Sequence, residues 1–587
     1  MGSLRKSKER SLLIGLVLTL LLSVIILRLF WVQTVNSDEW QAEALKNWVK
    51  NEKLKPKRGT IYDRTKEQLA WEEDAYYFVA APKKVKDKKK TARLLAPILG
   101  IDEKVLLQKL QQKKDSVDLR DGSKFKFPSE VYDKVMELRK KKEIEGIYGY
   151  QTTKRKYSGN EAAHVLGFLR IDDKPAGGVE STYDKWLRGK EGYIRYIGAQ
   201  NGMMITDEPE KNRPPVNGKD LVLTLDTRIQ HQVELELDEA IKSYQAKGGT
   251  AIVADPKTGE ILAMVSRPSF DPNNYAATID DENRQNRAVE SQFEPGSTFK
   301  IVTLAAAIEE GIFNPDATFQ SGSIQVEDRT IRDWNNGRGW GTITYREGVE
   351  KSSNVAFVKL GQQLGAGRLV EYINKFGFGD ITQKFGKKTG IDLPAEGRGY
   401  FFGRSPYPSE LASTAFGQGI SVTPIQQVAA VSAIANGGIW YKPHVMKEIW
   451  EPGLKKRIQT NQPKGRRIIR PETAKQVREL LRGVVKSGTG MQAELLGYGV
   501  AGKTGTAQKP DPNGRGYLEG KYVVSFVGFA PYDDPEVVIY VAIDEPSSEY
   551  GSVSGGEVAA PVARDILKKT LQIRAVQPSK QMAESIK

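Results

Sequence analysis

One stretch of the chain is apolar on every side: residues 11–32 read SLLIGLVLTLLLSVIILRLFWV, with Arg28 as the only charge. A continuous run close to the roughly 20 residues that cross a bilayer as a helix predicts a single transmembrane span. Arg28 stands near its end, where a long side chain snorkels to the interface, and Phe30 and Trp31 follow as interfacial aromatics. Arg5, Lys6, Lys8 and Arg10 precede the span, whereas residues 33–47 hold Lys46 as their only basic group. The positive-inside rule therefore predicts a cytoplasmic tail, residues 1–10, and places everything after Val32 on the extracytoplasmic side of the cell membrane. The rival is a cleaved signal peptide, with Val35-Asn36-Ser37 as a weak cleavage site. The apolar run is longer than the roughly 7 to 15 residues of a signal core and ends in bulky groups, which favours the anchor.

Beyond the span the pattern changes twice. Residues 33–206 are charged and irregular, and the lysine-rich stretches 83–90 and 113–114 read as exposed loops or helix faces. Residues 207–218, DEPEKNRPPVNG, have no apolar period and mark a linker. From Lys219 onward apolar strands alternate with glycine turns. Thr250–Asp255 and Glu260–Ser266 flank Pro256-Lys257-Thr258-Gly259, and Tyr522–Ala530 and Glu536–Asp544 flank Pro531-Tyr532-Asp533-Asp534-Pro535. Both read as strand, tight turn, strand. The chain between them is mostly helix-like, and Val558–Leu571 suits a closing helix. Strands at both ends with helices between predict an α+β domain over 219–572, its antiparallel sheet covered by helices, before a polar tail, 573–587.

Composition narrows the chemistry. A chain of 587 residues, 39% hydrophobic and 27% charged, fits two or three folded domains. It has no cysteine, which excludes disulfides, thiolate metal sites and a cysteine nucleophile. His164, His231 and His444 are far apart and form no local ligand pair, so neither a metal nor a cofactor is expected. The net charge of +15 is spread along the chain and interleaved with acids, so it reads as a solvated surface beside an anionic membrane or wall, not as a nucleic-acid site.

Covalent chemistry is then left to serine, and one segment offers it. Phe293-Glu294-Pro295-Gly296-Ser297-Thr298-Phe299-Lys300 runs into the apolar Ile301–Ile308. Proline and glycine lead into a buried helix, with Ser297 in its first turn and Lys300 one turn further along the same face. A serine hydroxyl needs a base, and a lysine serves only when burial or a nearby cation lowers its pKa from about 10.4. Ser-x-x-Lys alone is weak, since it usually marks a solvated helix start. Two further segments follow in order: Ser352-Ser353-Asn354, with a hydroxyl and an amide two residues apart, and Lys503-Thr504-Gly505-Thr506, which begins a strand after 498–502.

Together these resemble the three motifs of the penicillin-binding protein and serine β-lactamase superfamily. Arg58-Gly59-Thr60-Ile61-Tyr62-Asp63-Arg64 with Leu69-Ala70, and Gly417-Gln418-Gly419-Ile420 with Thr423-Pro424, are similar to segments of class B penicillin-binding proteins. The resemblance implies a peptidoglycan D,D-transpeptidase, acylated by β-lactams, with a membrane-proximal pedestal or dimerisation-like domain over 33–206. In these roles Ser297 attacks the penultimate D-alanine carbonyl, Lys300 takes its proton, and Ser352 passes a proton to the leaving amine while Asn354 orients Lys300. Lys503, Thr504, Gly505 and Thr506 hold the substrate, and the backbone N–H groups of Ser297 and Thr506 form the oxyanion hole. The partners implied are stem peptides, the lipid-linked precursor, β-lactams, the membrane, and other cell-wall proteins such as a glycosyltransferase.

A D,D-carboxypeptidase and a β-lactam-binding scaffold or sensor share the same motifs and stay open as alternatives. A β-lactamase would be a smaller secreted domain, and residues 33–206 show no glycosyltransferase motif. Blander roles are expected for the remaining features: Arg58, Asp63 and Arg64 as salt-bridge residues tying the two domains, Gly417–Ile420 as the floor of the site, and His164 as a packed histidine.

Overall fold

The structure, a computed structural model, describes residues 2–35, 38, 40, 49–122, 124–198, 204–205, 212–277, 280–379, 386–403, 405–514, 516–547 and 553–578. The proposed cleavage site at Asn36-Ser37, most of the linker and most of the polar tail lie outside them. Helix α1 (Gly2–Phe30) continues as a wider turn over Trp31–Val35. Among the described residues, 8–35 form the one helical stretch long and apolar enough to cross a membrane. Two of its hydroxyls are satisfied within the helix, Thr19 Oγ1 donating to Gly15 O and Ser23 Oγ to Thr19 O, each at 2.8 Å.

The chain forms two compact units. One comprises residues up to Lys57 together with Arg188–Gly218. Its three antiparallel strands, Val49–Leu54, Gly192–Gly198 and Met204–Ile205, place 192–198 in the middle. Arg213 and Val216 bridge to Tyr193 and Lys190, so the described end of 207–218 runs along this sheet.

The second unit, Arg58–Leu187 with Lys219–Lys587, contains all the motif residues. Gln68–Ala80 pairs along its length with Ile147–Tyr157, and Phe78, Leu95, Leu106 and Val135 make a small core beneath three covering helices. This ribbon belongs to a seven-stranded sheet in which Ile61–Tyr62 pairs in parallel with Leu221–Val222, and Leu221 in turn pairs with Ile449. Residues before and after 219 therefore share one sheet.

The catalytic part is built on five antiparallel strands: β1 (Gly248–Ala254), β2 (Ile261–Arg267), β3 (Ala501–Pro510), β4 (Tyr517–Ala530) and β5 (Val537–Asp544), in the order β2-β1-β5-β4-β3. Both expected hairpins are present. Period-2 alternation sends Ala251, Val253, Ile539 and Val541 to one face, against α2 (Thr227–Ser243) and α7 (Ala560–Ile573). Ile252, Ala254, Val538 and Tyr540 go to the other, with α3 (Lys300–Glu309), α4 (Asn354–Lys375), α5 (Pro424–Ala435) and α6 (Pro471–Ser487). Every residue of α5 is buried, and Thr423 starts it with a capping box closed by Gln426.

Two local expectations shift. β4 begins at Tyr517, five residues before the apolar run, because polar residues such as Glu519 and Lys521 sit in an exposed extension of the ribbon where no alternation is imposed. Ser297 lies in a 3-10 turn, Gly296–Phe299, and the α-helix starts only at Lys300. The turn tightens because Thr298 Oγ1 donates to Pro295 O at 2.8 Å and Gly296 takes φ +56°.

The residues expected to tie the domains divide. Arg58 pairs with Glu180 at 2.7 Å and Asp184 at 2.6 Å, all before residue 187. Asp63 accepts from Thr227 N (3.1 Å) and Oγ1 (2.7 Å) at the start of α2, and Arg64 reaches Glu260 at 3.2 Å. The tie therefore runs through Asp63 and Arg64. Asp63 makes it as a hydrogen-bond acceptor, not as half of an ion pair.

Candidate active site

Three elements meet at the motif residues: the 3-10 turn with α3 below it, the start of α4, and edge strand β3. The turn is clamped from two sides. Gly296 N donates to Gly417 O at 3.0 Å, and a Cβ on Gly417 would stand 2.0 Å from Gly296 O. On the other side a Cβ on Gly505 would stand 3.1 Å from Pro295 O and 2.6 Å from Ser525 Oγ. Only glycine lets the backbones come this close. Ser297 is half-buried in this clamp, and its Oγ enters no hydrogen bond among the described residues.

Lys300 is 1% exposed. Its Nζ donates to Asn354 Oδ1 at 2.7 Å and Ser352 O at 2.8 Å, lies 3.2 Å from Ser352 Oγ, and sits 5.3 Å from the centre of the Phe357 ring. Burial is the main force pushing its pKa well below that of a free lysine; the charge of Lys503 adds to it and Asp333 opposes it. Two short contacts to carbonyl oxygens account for both hydrogens of a neutral amine, leaving its lone pair for a hydroxyl proton.

The Ser352–Asn354 turn is held from below. Ser352 takes the uncommon φ of +57°. Ser353 caps α4 by accepting from Ala356 N at 3.2 Å and donates to Asp333 Oδ1 at 2.9 Å, which also accepts from Val355 N at 3.1 Å. Asn354 Nδ2 donates to Arg332 O at 2.8 Å.

On β3, Lys503 is equally buried, and burial lowers its pKa to about 7. Its Nζ donates to Thr504 O at 3.3 Å. Thr504 Oγ1 donates to Thr489 Oγ1 at 3.0 Å, and Thr506 Oγ1 accepts from Gly555 N at 3.1 Å. A cavity of about 620 Å³ opens beside the turn, bordered by Phe293–Glu294, Gly419–Ser421 and Ala507–Pro510.

The structure thus joins Lys300, Ser352 and Asn354 by hydrogen bonds, with Lys503 close enough to act on Lys300 through its charge, and sets β3 against the Ser297 turn. Sequence reasoning missed Asp333, Thr489 and Gly555, which hold the motif residues but belong to no motif. His164 is packed edge-on against Phe270 at 5.3 Å between ring centres, and burial pushes its pKa down to about 4. No group of three or more potential ligands able to hold a metal occurs among the described residues.

Comparison with known proteins gives the family. The family "Penicillin binding protein transpeptidase domain" matches residues 249–568, and "Penicillin-binding Protein dimerisation domain" matches residues 53–223. The chain belongs to the class B penicillin-binding proteins. It is 40% identical over 588 residues to stage V sporulation protein D of Bacillus subtilis (strain 168), covering 99% of this chain and 88% of the relative. It is 29% identical over 577 residues to peptidoglycan D,D-transpeptidase FtsI of Escherichia coli (strain K12), covering 97% and 92%. Among solved structures, penicillin-binding protein 2X of Streptococcus thermophilus matches with a TM-score of 0.72 at 27% identity, covering 90% of this chain and 81% of that one. Penicillin-binding protein 3 of Mycobacterium tuberculosis complexed with aztreonam matches at 0.69 and 29%, covering 90% and 99%.

Proposed function

We infer that this chain is a serine-type peptidoglycan D,D-transpeptidase that cross-links stem peptides through an acyl-enzyme and is acylated by β-lactams. The observation that carries the inference is Lys300, a buried lysine whose pKa is pushed well below that of a free lysine and which Ser352 and Asn354 fix one turn from Ser297.

In the reading favoured here, a D-Ala-D-Ala stem lies antiparallel to β3 with its carboxylate toward Lys503, Thr504 and Thr506. Ser297 Oγ attacks the penultimate carbonyl as its proton moves to Lys300 Nζ. The N–H groups of Ser297 and Thr506 receive the oxyanion; one such donor is typically worth about 10² to 10³ in rate. Ser352 relays the proton to the departing nitrogen, the C–N bond breaks, and free D-alanine leaves. The amine of a second stem then attacks the ester, its proton returns through Lys300, and Ser297 is released. Gly505 supports the close approach of β3 to the Ser297 turn, since a Cβ there would stand 2.6 Å from Ser525 Oγ and 3.1 Å from Pro295 O.

The same reading assigns residues 11–32 to a single membrane span, 1–10 to the cytoplasm, 33–206 to a pedestal, 207–218 to a linker and 219–572 to the transpeptidase domain on the outer side. Its donors are stem peptides of the lipid-linked precursor, and a glycosyltransferase would supply the strands.

Labelled penicillin followed by peptide mapping tests the nucleophile: the adduct is expected on Ser297. An adduct on another serine, or none on folded protein, would falsify the assignment. Incubation of precursor with and without an amine acceptor separates cross-linking from carboxypeptidase action, since only the former makes a new amide.

A further inference from the structure

A second cavity, of about 410 Å³, lies apart from the serine centre. It is lined by residues from 99–173 and by the turn 272–275, and includes none of the motif residues. Five cations border it, Lys124, Lys126, Lys154, Arg155 and Arg170, against one carboxylate, Asp173. Three of the five are answered by carboxylates, Lys126 by Asp173 at 2.5 Å, Arg155 by Glu180 at 2.7 Å and Arg170 by Asp172 at 3.5 Å, while Lys124 Nζ donates to Gly100 O at 2.6 Å and Lys154 makes no ion pair among the described residues. Lys124 and Lys154, both exposed, therefore leave uncompensated positive charge at the rim of the cavity.

Arg155 is the unusual member. It is 7% exposed, with Nε on Glu180 Oε1 at 2.7 Å and Nη1 on Gly59 O at 2.8 Å. Its Nη2 is buried without a hydrogen-bond partner. A buried, unanswered guanidinium N–H is costly, and such groups are rare outside places that await a ligand or water. Phe125 and Tyr275, both half-buried, add apolar ring surface to the same walls, and Lys124-Phe125-Lys126-Phe127 alternates cation and ring along the chain. A volume within the usual 300 to 1,000 Å³ of ligand pockets, ring faces and convergent cations together suit a sugar that carries carboxylates.

We propose that this cavity is a second, non-catalytic binding site for an anionic muramyl peptide, its cations taking the stem carboxylates and its rings the sugar. The choice of muramyl peptide as the carboxylate source rests on the transpeptidase reading; the anion preference stands on the cavity alone. Because Asn273 exchanges hydrogen bonds with the Tyr157 backbone at 3.0 and 3.1 Å, and Tyr275 OH accepts from Ile171 N at 3.0 Å, an occupant bridges the residues before 187 to the catalytic part.

The test uses the whole protein in detergent, acylated with benzylpenicillin so that the serine centre is blocked, and titrated calorimetrically with soluble GlcNAc-MurNAc-pentapeptide. One equivalent is expected to bind, more weakly as sodium chloride rises. The exposed-cation variant K124E/K154E should acylate normally yet bind the fragment at least about tenfold more weakly. Absence of binding to acylated wild type, equal affinity in K124E/K154E, or equal binding of a fragment with amidated carboxylates overturns the proposal. Stronger displacement by glycerol phosphate than by the fragment also overturns it, in favour of a phosphate site. If benzylpenicillin does not acylate at all, the transpeptidase reading falls, and the same titration on unmodified protein still decides the cavity.

Discussion

Burial of its ammonium lowers the pKa of Lys503 to about 7, so its charge near neutrality responds to what lies beside it. A substrate carboxylate arriving beside it favours the charged form, which in turn lowers Lys300 further. Binding of the donor therefore helps to deprotonate the base. The sign follows for variants. Acylation needs neutral Lys300, so removing a neighbouring cation raises the Lys300 pKa and moves the acid limb of the acylation rate to higher pH. Lys503→Ala is expected to show that shift, strongest below pH 7 where Lys503 is charged in the wild type. Lys503→Arg keeps the charge and should retain more low-pH activity. Lys300→Ala removes the base and should lose about 10² to 10⁴ in rate. Rates of acylation by a labelled β-lactam across pH decide this, and a wild-type rate in Lys300→Ala means that another group is the base. These residues were legible in the sequence because three short motifs carry them in order. Asp333 was not, since a buried aspartate that pins Ser353 and Val355 from 20 and 22 residues away leaves no local pattern.

Among the elements, the hairpins of β1–β2 and β4–β5 were readable because proline and glycine punctuate apolar runs, and α7 because its apolar period is strong. The 3-10 turn under Ser297 was not, because Pro-Gly-Ser-Thr suits a helix start equally well; what tightens it is the Thr298 hydroxyl and the neighbouring backbone of Gly417. The seven-stranded sheet was hidden for a different reason, since its pairings join segments such as 61–62, 221–222 and 449 that lie hundreds of residues apart and carry no mutual signal. The Gly417 contact gives the element-scale prediction. At φ +91° and with a Cβ only 2.0 Å from Gly296 O, Gly417→Ala must push the nucleophile turn out of its place between the Gly417 loop and β3. A displacement near 1 Å in a preorganised site costs about 10² in rate. Benzylpenicillin acylation of Gly417→Ala should fall by that order while β3 keeps its partners. An unchanged rate with unchanged stability means the turn is not held by this loop.

At the scale of the molecule the apolar helix and the shared sheet matter most. The basic residues before Ser11 predict that external protease on intact protoplasts removes nearly the whole chain, and protection of residues beyond 33 overturns that topology. The sheet makes a different demand. Because Leu221 lies between Ile61 and Ile449, residues 58–187 cannot unfold without exposing the edge of the catalytic part. Asp63 adds to this coupling: its two oxygens accept from Thr65, Glu67 and Thr227, which together outweigh burial and hold its pKa below the ordinary value. A depressed carboxylate contributes stability that is present above its unfolded pKa and fades as pH falls through the folded one. Asp63→Ala is therefore expected to destabilise this unit by about 2 to 3 kcal/mol at neutral pH, with the difference from wild type shrinking in acid. Urea titration should then show penicillin-binding capacity and protease resistance of 58–187 disappearing at one midpoint, and Asp63→Ala should lower both together. Two separated midpoints in the wild type, or an Asp63→Ala effect on only one of them, means that the two parts of the unit stand independently despite the sheet they share.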